Sequence, residues 1–126
     1  MRLPAAAGRY RRHHFGSVKA GSPAILAARS CMVVSMLHLT VDLPGVGSLK
    51  EKRRAIGSLK ERIRHKYRVS IAEVGANDLW NVAEIGCAVV SNSHTFGESV
   101  LHKVIGYAEE HLAFPIRSAQ VFSEHY

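Results

Sequence analysis

From Met32 onward the apolar positions change their period several times, and each change marks an element. Val33, Leu37, Leu39 and Val41 alternate with Val34, Met36, His38 and Thr40, ending at Leu43-Pro44-Gly45-Val46-Gly47. A period of two is that of a half-buried strand. Ser48-Leu49-Lys50-Glu51 then fits a capping box, in which the Ser hydroxyl and Glu carboxylate satisfy each other's orphan backbone donors at a helix start. The helix is predicted to reach about Tyr67, because Leu49, Ile56, Leu59, Ile63 and Tyr67 fall on one stripe at about 100° per residue. Arg68 to Val74 is rich in β-branched residues and reads as a second strand. A turn holding Gly75, Asn77 and Asp78 separates it from a third strand-like run, Leu79 to Val90, so the two form a hairpin. Ser91-Asn92-Ser93 opens a second helix, with Thr95-x-x-Glu98 as a further capping box and Leu101, Val104, Ile105, Ala108 and Leu112 at helical spacing. Pro115 stops it, and Ile116 to Phe122 is the closing strand.

The order is β-α-β-β-α-β. With right-handed crossovers it gives an α+β sandwich of the ferredoxin-like kind, a four-stranded antiparallel sheet with both helices on one face. The opposite face has no helix to cover it. Alternation puts Met36, His38 and Thr40 of the first strand there, with Glu84, Gly86, Ala88 and Val90 of the third. A mixed face of this sort usually meets a partner.

Composition changes this picture at one end only. The chain has 126 residues, 17 Lys and Arg against 10 Asp and Glu, and a formal charge of +7. Residues 1–31 hold Arg2, Arg9, Arg11, Arg12, Lys19 and Arg29 and no acid, so the remaining 95 residues carry eleven basic and ten acidic groups. The basic balance therefore belongs to the N-terminal extension and is by itself no sign that the domain over 32–126 binds nucleic acid. Ala, Gly, Ser and Arg dominate the extension without sustained periodicity, which predicts disorder. Three origins fit it: an organelle transit peptide, a basic arm touching nucleic acid, or residues upstream of a true start at Met32. The last is preferred, because the extension ends where the first strand pattern begins. Ala24 to Ala28 is too short for the apolar core of a secretory signal. No apolar run approaches the roughly 18 to 20 residues of a membrane span. Two cysteines, Cys31 and Cys87, fit reduced, cytoplasmic usage.

The first helix carries the leading chemical signal. Arg53, Lys60 and Arg64 cluster on one flank of its apolar stripe, with Lys50 and Arg54 further round. Five cations so placed suit phosphate contact through counterion release; the alternative is a solvated face partly neutralised by Glu51 and Glu61. Lys52 points toward the buried stripe and is expected to snorkel its ammonium past the sheet edge. Gly57, mid-helix, is expected to mark a close backbone approach. The loop at Gly45, Gly47 and Ser48, with Lys50 at hand, is a candidate anion site because free backbone donors and the helix dipole point there. It lacks the G-K-[ST] ending of a Walker A loop and the Gly-x-Val-Gln-Gly-Val-x-x-Arg signature of acylphosphatases, and ordinary turn chemistry explains its glycines equally well.

His38, Glu73, Asp78 and Glu84 show no ligand spacing, so neither a metal nor a cofactor is expected. Two Ala-Glu steps on facing hairpin strands put like charges opposite each other, which calls for a cation between them, Arg68 or an Arg from a partner. Trp80, just after the turn, suits an interface or turn packing better than catalysis, and Cys87 reads as a small core residue.

The runs S-L-K-E-K-R-R at Ser48 to Arg54, A-E-V-G-A-N-D-L-W at Ala72 to Trp80 and A-E-I-G-C-A-V-V-S at Ala83 to Ser91 together resemble the bacterial YlxP-like family. Members commonly have Gln where this chain has Asn77, and they begin near Met32. The resemblance implies a small cytoplasmic ferredoxin-like protein of undetermined biochemistry, whose genes often lie among those for translation initiation and ribosome maturation. The expectation is thus a non-enzymatic module for RNA or a ribosomal subunit, with no DNA sequence specificity and no membrane partner. The aromatic signature of an RRM is absent, so affinity should be mainly electrostatic. The alternative is a protein-interaction module or homodimer using Met36, His38, Trp80, Ala88 and Val90. An enzyme acting on a phosphorylated small molecule at the Gly45 loop has least support, since no nucleophile or base accompanies it.

Overall fold

The computed structural model describes residues 31–126. The readings made of the N-terminal extension lie outside the described residues, apart from Cys31. Six elements follow in order: β1 (Val33–Asp42), α1 (Leu49–Tyr67), β2 (Ser70–Gly75), β3 (Val82–Ser91), α2 (His94–His111) and β4 (Ile116–His125). The sheet order is β2-β3-β1-β4 with every neighbouring pair antiparallel, the ferredoxin-like arrangement expected.

Alternation in β1 is complete. Val33, Ser35, Leu37, Leu39 and Val41 are buried, while the residues between them are half-buried on the other face. Against them pack Ile56, Leu59 and Ile63 of α1, Leu101, Val104 and Ala108 of α2, and Ile71, Ala83, Ile85 and Cys87 of the hairpin. Ser35 is the polar member of that inward row. Its Oγ lies 3.0 Å from Ser123 Oγ, which is 2.8 Å from His94 Nδ1, so its hydroxyl is satisfied inside the sheet. It is small for a reason: a Cβ on Gly97 of α2 would stand 2.1 Å from Ser35 Oγ, so helix and strand meet backbone to side chain at this point.

Local chemistry moves several predicted boundaries. Ser48 caps α1 as expected, accepting from Glu51 N at 3.1 Å. The Glu51 carboxylate, however, accepts from Gly47 N at 2.7 Å, one residue before the cap. Arg68 is the left-handed C-cap of α1 (φ 54°), donating its amide to Arg64 O, and so cannot begin a strand; β2 starts at Ser70. Leu79 to Asn81 belong to the turn, and β3 starts at Val82. The cap of α2 is Ser93, whose Oγ accepts from Phe96 N, so the Thr95–Glu98 pair lies inside the helix rather than at its start. Strand β4 continues beyond Phe122 to His125 because β1 pairs with it as far as Val33 opposite His125. Nothing approaches within 4 Å of a Cβ built on Gly57, which overturns the close contact expected there.

Candidate functional site

Helix α1 concentrates the positive charge of the fold. It carries eight Lys and Arg against Glu51 and Glu61, while the rest of residues 32–126 has three Lys and Arg against eight Asp and Glu. One of those three, Arg117, is paired with Asp42, which holds its guanidinium pKa up by hydrogen bonding and charge. The domain over 32–126 is therefore nearly neutral in sum, with its cations concentrated on one helix.

The five cations predicted as a site do not all have the same work. Lys50, Arg53 and Arg54 are exposed within the first two turns of α1, and Lys60 is half-buried a little under two turns beyond Arg54. No ion pair forms at any of these four among the described residues. Arg64 differs, because its Nη2 donates to Ile71 O at 2.9 Å and its Nη1 pairs with Glu61. It ties α1 to the sheet-edge strand β2. On the other flank Arg62 and Lys66 lie 6.0 and 5.8 Å from the Tyr107 ring, itself stacked on His111 at 4.1 Å. Sequence reading missed this second group, since it needs the pairing of two helices.

The loop at the head of α1 is already supplied with an anion of its own. Gly47 N is taken by the Glu51 carboxylate and the Ser48 hydroxyl by Glu51 N. Gly45, at φ +83°, provides the left-handed turn that glycine permits. The hollow beside it is open and is lined by Pro44, Gly45, Val46, Glu51, Arg54, Ala55 and Phe114.

Lys52, next in sequence to the exposed Arg53, is buried, at 1% exposure. Its Nζ donates to Ala76 O and to Leu79 O, each at 2.7 Å, and stands 2.7 Å from Glu73 Oε2. The ammonium does not snorkel to solvent as expected; it closes on the β2–β3 turn and its carbonyls replace water. This also resolves the two facing Ala-Glu steps. Glu73 comes two residues after buried Ile71 and stands in register with Ile85, so it faces α1, while Glu84 is on the open face 3.4 Å from His38 Nε2; the bulge after Glu73 sets Gly75 opposite Glu84. Of the two glutamates Lys52 meets only Glu73, and Arg68, expected between the strands, is exposed at the helix end.

The residues predicted as an interface occupy two places. Met36 stands in register with Ala88 on one side and Phe122 on the other, with Val34 opposite Val90 in the next rank, on the uncovered sheet face with His38. Phe122, half exposed, is the member the sequence reading omitted, although the same alternation carried through β4 would have found it. Gly86 belongs to that face because Val74 leans over it, 2.9 Å from where a Cβ would be. Trp80 is elsewhere, on the β2–β3 turn beside Val46, Asp78, Leu79 and Asn81. Cys87 faces the core, where burial pushes its thiol up to about 11. Among the described residues no three His, Cys, Asp or Glu side chains are grouped to hold a metal, and no helix is long and apolar enough to cross a membrane.

Comparison with known proteins agrees with the resemblance seen in the three runs. A "De novo designed protein Foldit4" matches over 75% of this chain and 96% of its own at a TM-score of 0.42 and 14% identity. The "Uncharacterized protein YlxP" of Bacillus subtilis (strain 168) is 38% identical over 63 residues, covering 50% of this chain and 68% of that protein. The model of the family described as "Protein of unknown function (DUF503)" matches residues 34–121, nearly the whole of the six elements, and the chain belongs to that YlxP-like family.

Proposed function

We propose that this protein is a non-enzymatic RNA-binding module that lays the exposed side of α1 along a phosphate backbone, with ribosomal subunits as the RNA to test first. One observation carries the reading: eight of the eleven Lys and Arg of residues 32–126 are on a single helix, within a domain otherwise rich in acids. Charges mixed over a surface only solvate it, whereas charges gathered on one helix create a field that steers a polyanion and orients the domain on it. Lys50, Arg53, Arg54 and Lys60 are the predicted cations free for phosphate, and Arg62 and Lys66 are exposed on the same helix.

The test uses the full chain, a labelled single-stranded RNA and purified ribosomal subunits, with binding followed as salt is raised. Arg53 and Arg54 are reversed together to Glu, since both are exposed and unpaired; Arg64 is left alone because it holds β2. The expected result is binding that weakens steeply with salt and, in the double reversal, a salt slope reduced by roughly 1.4 or more, at about 0.7 per lost phosphate contact. Unchanged affinity and slope in the variant would remove α1 as the contact. A second reading, self-association, is favoured by the in-register row of Met36, Ala88 and Phe122 with Val34 and Val90 on the uncovered face. A purely monomeric sedimentation profile at tens of micromolar would end it.

A further inference from the structure

Trp80 and Leu79 are 51% and 52% exposed at the tip of the β2–β3 turn, the position where a large apolar side chain is usually folded back or absent. The turn that displays them is held firmly. Lys52 binds the carbonyls of Ala76 and Leu79 from inside the fold, Leu79 N donates to Ala76 O at 3.0 Å, and Leu43 N donates to Asn81 O at 2.8 Å. A mobile tip would let an indole collapse onto nearby apolar surface, whereas a tip tied on both sides keeps it presented to solvent.

The surroundings say what would use it. Val46 lines both the hollow under Trp80 and the hollow that contains Arg54, so the indole and the exposed start of α1 share one rim of the domain. Lys52, which fixes the turn, is flanked in sequence by Lys50 and by Arg53 and Arg54, so the helix that braces Trp80 is the one that presents the cations. A fixed aromatic plane beside several unpaired cations is the combination by which proteins hold single-stranded nucleic acid: the ring stacks on an unpaired base while the cations meet the phosphates on either side of it. Asp78 lines the hollow under Trp80 and Glu51 the hollow of Arg54, so phosphate is expected on the outer side of α1, where Lys50, Arg53 and Arg54 are exposed.

Resting on the RNA-binding reading above, we infer that Trp80 is a stacking platform for an unpaired base, and that the ligand of this rim is single-stranded RNA, or a loop within folded RNA, rather than a duplex. Paired bases have no free face to offer, whereas the turn offers an exposed aromatic plane on a backbone held by Lys52.

Trp80 is the one tryptophan of the chain, which makes its emission a local probe. The full chain is titrated with a twelve-nucleotide oligoadenylate and with a duplex RNA of the same length, reading tryptophan fluorescence together with the anisotropy of end-labelled RNA. The expected result is quenching by the single strand and little by the duplex. W80A should weaken single-strand binding about tenfold while W80F retains most of it, with far-UV circular dichroism unchanged because the ring is not in the core. Binding seen by anisotropy without quenching, with W80A as tight as the parent, would overturn the stacking site and leave the α1 reading standing. Equal quenching by single strand and duplex would also overturn it. No binding of either RNA by the parent chain would remove both.

Discussion

Lys52 offers the sharpest test of how the turn is held. Replacing it by Met keeps most of the buried stem and removes the ammonium, so the change isolates charge and hydrogen bonding from packing. The ammonium makes three contacts at 2.7 Å, two to carbonyls and one to a carboxylate oxygen. Hydrogen bonds to charged groups contribute about 1.5 to 3 kcal/mol each, and removing one partner of a buried ion pair costs about 3 to 5 kcal/mol. Glu73 is 17% exposed, so water partly compensates its lost partner, which favours the lower end, about 3 kcal/mol. For a domain of this size, whose whole stability is of the order of 5 to 14 kcal/mol, that is a large share and should lower Tm by at least about 12 °C. Urea unfolding followed by far-UV circular dichroism measures it. The double variant K52M/E73Q should regain about 1 kcal/mol or more, since the stranded charge goes with its partner. If K52M lies within about 0.5 kcal/mol of the parent, or if K52M and E73Q simply add, the ammonium is not what fixes the turn.

Three glycines on helices should answer differently to one substitution. G57A and G106A have open space at the new Cβ and should each stabilise by about 0.5 to 1 kcal/mol, whereas G97A meets Ser35 at 2.1 Å and should destabilise by about 1 to 3 kcal/mol, as thermal melts would show. S48A removes the acceptor for Glu51 N and should lower stability by about 1 kcal/mol in urea titration; no change would mean that α1 does not depend on its cap. Cys31 is exposed and should react with a thiol reagent in the folded protein, while Cys87 should react only on unfolding; rapid modification of both under native conditions would contradict the buried thiol. The folded Cys87 thiol is raised from 9.0 to about 11, so the unfolded chain loses that proton first, and stability that is complete below pH 9 should decline toward pH 11. C87A should lack this component when unfolding midpoints are compared across that range.

What was legible in the sequence was what periodicity encodes. The strict alternation of β1 and the stripe of Ile56, Leu59 and Ile63 fix which sides face the core, and with the order of elements they yield the sheet. The boundaries that moved did so for reasons that are local and geometric. Arg68 takes a left-handed cap although it is not glycine, and a bulge one residue long sets Gly75 rather than Val74 opposite Glu84. Neither leaves a compositional trace. Phe122 was within reach, because the period of two continues through β4, but the predicted strand stopped at that residue and its register against Met36 is set by pairing with β1.

The candidate site shows where such reading ends. Lys52, Arg53 and Arg54 are three cations in succession, and at about 100° per residue they must point to three different environments. The stripe already turns Lys52 inward, but only the packing of α1 on the hairpin closes its ammonium off from water with the carbonyls of Ala76 and Leu79. The consequence is physical as well as interpretive. A run that looks like one basic patch divides its labour between holding the β2–β3 turn from within and presenting charge outside, and Arg64 repeats the division further along by binding Ile71 O. Neutralising the whole run at once would therefore confuse loss of fold with loss of contact. Reversing Arg53 and Arg54 while keeping Lys52 and Arg64 separates them, because the hydrogen bonds and the ion pair that hold the turn come from Lys52 and not from the two residues changed.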